Sequence, residues 1–188
     1  MRYPFAFLFV VLGLLQGCVA PVVAAGVGGA LMTSNDRRSA GTMVEDDTIE
    51  SKAQNRIDEK YKETAHVSVT AFNRFALVTG TTANENAKMD IERIVGSIPN
   101  VKGIANELVV GSATGIVANS SDSRITGNVK LRFVNSPKFK ADHVKVVTEN
   151  GVVYLMGLVT RAEADAASDI ASTTSGVQKV VRVFEYID

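Results

Sequence analysis

The 188-residue sequence predicts an α+β protein of two tandem domains, each running α-β-β-α-β with its helices packed on a small mixed sheet. Three observations predict it. A stretch of strand-like alternation, VSVTAFNRFALVTGTT from Val67, returns as VKVVTENGVVYLMGLV from Val144, 77 residues later. Each copy is flanked on both sides by apolar residues at helical spacing. Each is closed by one further short apolar run.

The N-terminus comes first in the chain and stands apart from the repeat. Arg2 precedes an apolar run from Phe5 to Leu15. That run has the length of a signal-peptide core and falls short of the roughly 17–25 residues a membrane span needs. It leads to Cys18, the single cysteine, so no disulfide can form within the chain. LLQGC resembles a bacterial lipobox, which implies cleavage before Cys18 and acylation of that residue. Several acyl chains, each contributing about 0.8 kcal/mol per buried CH₂, hold a protein on a bilayer. The expected organisation is a signal peptide over 1–17 and a lipidated tether over 18–45. Val19, rather than an aspartate, after the cysteine favours the outer membrane in enteric-type sorting. GVGG at 26–29 lacks the Lys-Ser/Thr and the following helix of a phosphate loop and reads as linker.

Removing residues 1–17 takes away Arg2 and no acid, leaving 19 Lys+Arg against 20 Asp+Glu. A chain this close to neutral has no overall field that would draw nucleic acid.

Within each hairpin copy, Val67 matches Val144, Asn73 matches Asn150, Gly80 matches Gly157 and His66 matches His143. The turns fall at Asn73-Arg74 and Asn150-Gly151, the second being a strong two-residue hairpin signal. Upstream, Asp46 and Asp122 stand where helix N-caps belong. Behind them Ile49, Ala53 and Ile57 align with Ile125, Val129 and Phe133, apolar residues four apart. Downstream, a second helix is predicted over 84–97 and over 161–174, stopped by Pro99-Asn100 and by Gly176. Last strands follow over 104–110 and 180–187. The domains therefore run 46–112 and 118–188. Domains of about 65–70 residues have small cores, so the two are expected to pack on each other.

These signatures resemble the BON-domain family. Its pattern is a helix, V-x-V…N-G-x-V-x-L-x-G, an Ala-rich helix, then G-V-x-x-V and a strand. The second copy supplies VKVVTENGVVYLMGLV, AEADAASDIA and SGVQKV; the first is looser, with NRFALVTG and NVKGI. Together with LLQGCVA and DRRSAGTMVEDDTIE, the layout is similar to that of dual-BON outer-membrane lipoproteins. The resemblance implies a non-enzymatic lipoprotein without a cofactor, facing the periplasm. It implies binding of anionic phospholipid, of the phosphatidylglycerol or cardiolipin class, through the second domain. It further implies support of envelope integrity at the division site and a link to the β-barrel assembly machine.

The first helix of the second domain gives a local argument for lipid contact. With Ile125 at zero and 100° per residue, Ile125, Val129 and Phe133 share the core side. Gly127, Leu131 and Val134 cluster at about 180–240°, flanked by Arg124 and Lys130. Apolar residues edged by cations suit a helix lying on an anionic bilayer, where each nearby cation adds about 1 kcal/mol. The segment 124–145 carries Arg124, Lys130, Arg132, Lys138, Lys140 and Lys145 against Asp142 alone. The expected phospholipid-binding residues are Arg124, Gly127, Lys130, Leu131, Val134 and Lys138. Many relatives carry Trp at the place of Arg124, which shifts weight here from insertion to charge. A plainer reading keeps Leu131 and Val134 as packing against the first domain and the lysines as a solvated rim.

Catalysis finds little support. The two histidines sit at equivalent hairpin entrances, as duplication would leave them. Ser51 and Lys52 are adjacent, so a helix does not face them at each other as nucleophile and base. Two further readings stand beside lipid binding: a scaffold for an outer-membrane assembly complex using the same helix face, and a soluble stress-related module, which the lipobox disfavours.

Overall fold

The computed structural model describes residues 36–111 and 118–188. The expected signal peptide, the expected anchor at Cys18 and most of the expected tether lie outside the described residues. No helix among the described residues is long and apolar enough to cross a membrane.

The first domain opens on α1 (Ala40–Tyr61), capped by the Ser39 side chain, which accepts from the Thr42 N–H. The helix thus starts six residues before Asp46, and residues 40–45 belong to it rather than to the tether. Strands β1 (Ala65–Phe72) and β2 (Phe75–Thr82) form the predicted hairpin, registered from Ala65↔Thr82 to Phe72↔Phe75. Helix α2 (Glu85–Gly96), capped by Asn84, crosses back to β3 (Gly103–Asn106), which pairs parallel with β2. A two-residue β4 (Val109–Val110) continues along β2. The expected single strand over 104–110 is split because Leu108 turns inward and is 1% exposed.

The second domain repeats the order: α3 (Ala118–Val134), a 3₁₀ turn at Ala141–His143, β5 (Val144–Glu149), β6 (Val152–Val159), α4 (Arg161–Ser172) and β7 (Lys179–Tyr186). Its strands lie in the order β5-β6-β7, antiparallel then parallel. Thr160 and Glu163 close a capping box at the start of α4.

Each sheet carries its own helices on one face. Ile49, Ala53 and Ile57 of α1 pack on Val69, Ala71 and Val78, and Ile125, Val129 and Phe133 of α3 pack on Val146, Val153 and Leu155. The opposite sheet faces meet each other through Phe72, Leu77, Tyr154, Met156 and Leu158. The central strands are therefore covered on both sides. This explains why VVYLMGLV is apolar almost throughout rather than alternating. Burial in this layer, with Glu107 and Glu149 near, pushes the Tyr154 phenol up to about 12, so it stays neutral. Gly80 and Gly157 are required by the hairpin crossing. A Cβ on Gly80 would collide with the carbonyl of His66 on β1, and one on Gly157 with the carbonyl of His143 just before β5.

Asp46 and Asp122 are not N-caps. Both lie inside their helices and are nearly fully buried. The Asp46 carboxylate accepts the backbone N–H groups of Asn73 and Arg74 at 2.8 and 2.6 Å. Asp122 accepts those of Asn150 and Gly151 at 2.7 and 2.9 Å. Each aspartate thus buckles its helix to the tip of the following hairpin, whose residues sit at positive φ and turn two adjacent donors inward.

Candidate functional site

Helix α3 is seated by its core face, and its far side is left open. Leu131 is 63% and Val134 70% exposed, so neither packs on the first domain. Arg124, Gly127 and Lys130 are exposed on the same helix. A Cβ added at Gly127 would meet nothing within 4 Å, so this position leaves a flat spot one turn before Leu131. Lys138 lies beyond the helix, exposed in the 135–140 loop. That loop is fixed underneath by Phe139, whose ring meets Phe133 edge-on at 5.0 Å. The structure therefore brings all six expected residues to exposed positions on α3 and the loop that follows it.

The basic stretch is less uniform than its sequence. Arg132 turns away from this surface and donates to Ile170 O and to the Thr174 and Thr173 hydroxyls at 2.7, 2.7 and 3.0 Å, closing the C-terminal end of α4. Lys145 pairs with Glu50 at 2.8 Å and donates to Ala71 O, joining the two domains. Both are structural cations. Arg124, Lys130 and Lys138 form no ion pair with any described residue, which leaves their charge facing solvent. Beside Arg124 a polar hollow of about 470 Å³ runs to Asn128, the Asn150-Gly151 turn and Gln178.

A second charged cluster, which the sequence did not single out, lies where the chain enters the first domain. Arg37 makes a two-pronged pair with Glu163 at 2.7 and 2.8 Å and donates to Leu158 O at 2.7 Å. Arg38 pairs with Asp36 and Asp46, each at 2.8 Å, and lies 3.9 Å from the centre of the Phe72 ring. One arginine grips the second domain and the next grips the first. The Arg37 guanidinium, with the Thr160 donors, holds the Glu163 carboxyl down to about 2 against the effect of its burial. His143 is buried with Nδ1 3.4 Å from Glu163 Oε1, too poorly aligned for a hydrogen bond. The signal for this cluster was Arg37-Arg38 itself, inside a segment read as tether.

The BON domain model matches residues 45–112 and 121–188. The outer membrane lipoprotein DolP of Haemophilus influenzae is 38% identical over 176 residues, covering 93% of this chain and 91% of that protein. The 21 kDa hemolysin of Actinobacillus pleuropneumoniae is 36% identical over 154 residues, 81% of this chain and 79% of that one. The osmotically-inducible protein Y of Escherichia coli is 24% identical over 144 residues, 74% and 72% of the two chains.

Proposed function

The chain belongs to the BON-domain family, and from that premise we propose that it is a non-enzymatic outer-membrane lipoprotein whose second domain reads anionic phospholipid and so supports envelope integrity. Its place in the outer membrane rests on its similarity to a lipoprotein of that membrane. Cys18 is the anchor in this reading, and the protein faces the periplasm. The single observation that carries lipid binding is the exposed pair Leu131 and Val134 on α3, with Arg124 and Lys130 exposed on the same helix and Lys138 exposed in the loop that follows it. Apolar side chains of this size enter the boundary of the acyl region while the cations meet headgroup phosphates. With an arginine at position 124, charge supplies much of the attraction, so binding weakens as salt rises and the Debye length falls from about 10 Å at 0.1 M to about 3 Å at 1 M.

The test is a titration of the mature protein lacking its acyl chains with neutral and then anionic vesicles, following backbone amide signals by NMR. The expected result is a set of shifts confined to residues 124–140, seen only with anionic vesicles and reversed by salt. Silence with both vesicle types would overturn lipid recognition by the folded body. Cys18 would then be the membrane contact, and the scaffold reading, with an outer-membrane assembly complex on the same helix face, would take its place.

A further inference from the structure

The last strand of the second domain is bonded on one side only. Among the described residues β7 pairs with β6 and with nothing beyond it. A cavity of about 410 Å³ runs beside it, bordered by five consecutive residues, 181–185, with Gly157 of β6, and on the other side by Phe72, Phe75, Ala105 and Glu107 of the first domain. We propose that this cleft takes an extended peptide segment of a partner protein. The segment adds to β7 as a fourth strand, seats an apolar side chain near Phe72, Phe75 and Phe184, and carries basic neighbours.

Three features point to this occupant. Successive residues of a strand face opposite ways, so a cavity touching five in a row runs along β7, while Gly157 and Ala105 mark where it also reaches β6 and the layer between the sheets. Val181 and Val183 belong to the layer between the sheets, whereas Phe184 packs towards the helices, and the cavity borders all three. Second, the free side of a strand presents N–H and C=O groups at a repeat that another polypeptide backbone matches. The run KVVRVFEY contains neither proline nor glycine to interrupt that repeat. Residues 181–185 cover about 13 Å, room for four or five partner residues. Third, the rim is acidic. Arg182 is matched by Asp165 at 2.7 Å, and Glu185 is held by the neutral Asn73 amide at 2.6 Å. With Arg182 already paired, Glu185 and Glu107 set the charge that a visitor meets, and basic side chains complement it. The site shares no residue with the exposed face of α3, so it stands apart from the lipid reading.

The test uses the full-length protein in nanodiscs of zwitterionic lipid, which do not themselves attract a basic peptide. The probe is a fluorescein-labelled heptapeptide, KVKFKVK. Its controls are EVEFEVE and a form of KVKFKVK methylated at alternate backbone nitrogens. Saturable binding of KVKFKVK is expected, with at least about tenfold weaker binding of the methylated form, which loses several backbone hydrogen bonds. Slowed amide exchange over 181–185 is expected in the complex. EVEFEVE should bind more weakly than KVKFKVK, and Glu107→Lys should narrow that gap by about two- to fivefold, the size of one exposed charge pair. The proposal is overturned if KVKFKVK does not saturate at millimolar concentration or if methylation leaves its affinity unchanged. Protection of α3 in place of β7 overturns it too, as does self-association of the chain through β7, which would put a second copy on this edge.

Discussion

Replacing Asp122 by asparagine removes the charge that holds the second hairpin turn to α3 while keeping the side chain's size. The native carboxylate accepts two backbone N–H groups at 2.7 and 2.9 Å and is only 6% exposed. An amide offers one acceptor oxygen, so one donor keeps a partner through a neutral bond and the other confronts an NH₂ group. Hydrogen bonds to charged groups contribute about 1.5–3 kcal/mol, neutral ones about 0.5–1.5, and a buried donor left without an acceptor costs about 1–3. The sum is a loss of about 2–4 kcal/mol. At about 2–4 °C per kcal/mol for a body of this size, the thermal midpoint should fall by about 5–15 °C. Circular dichroism on heating and urea unfolding at constant m-value measure it. Asp47→Asn is the control, because Asp47 is exposed one residue from the equivalent buckle of the first domain, and it should change stability by less than about 0.5 kcal/mol. A variant D122N within about 0.5 kcal/mol of the parent would refute the idea that this carboxylate secures the turn.

Further predictions concern the other hairpin, the arginine clamp and the exposed helix face. Arg74 holds φ at +67°, where its Cβ is strained, so Arg74→Gly should stabilise the protein by about 0.5–1 kcal/mol, read as a higher unfolding midpoint. Glu163 has a folded pKa depressed to about 2 from an ordinary 4.5. Its pairing with Arg37 therefore contributes in full above about pH 4.5 and is lost as pH falls towards 2. Glu163→Gln should flatten the pH dependence of stability in that window, and an unchanged slope would dismiss the clamp as a stability element. Leu131→Asp and Val134→Asp should weaken binding to anionic vesicles in a sedimentation assay yet leave the unfolding midpoint within about 2 °C, because both side chains are already exposed.

The repeat, the element order and the core residues of α1 and α3 were legible because they are written in local periodicities: two for the hairpins, four for the helices. The helix starts were misread for a physical reason. An aspartate ahead of an apolar helical pattern looks like a cap, whereas Asp46 and Asp122 bond to turns 27 to 29 residues away, and nothing local records that. The same limit applies to the basic stretch. Arg132 and Lys145 count as surface charge in the sequence, but their partners lie on α4 and in the first domain. Leu131 and Val134 could be placed on the far side of α3 from the helical period alone. Their exposure depended on where the first domain sits, and that domain meets the β-sheet face instead.

Glu163 occupies the third position of α4, accepts from the Thr160 backbone in the capping box, and receives both prongs of Arg37. One carboxylate thereby ties the beginning of a helix to the chain entering the other domain. Fraying of that first helical turn cannot proceed with the Arg37 pair intact, so the two should open as a single cooperative unit and share one opening free energy in hydrogen exchange. A pull transmitted along the chain into Arg37 would thus be felt first as melting at the start of α4, some 126 residues away in sequence.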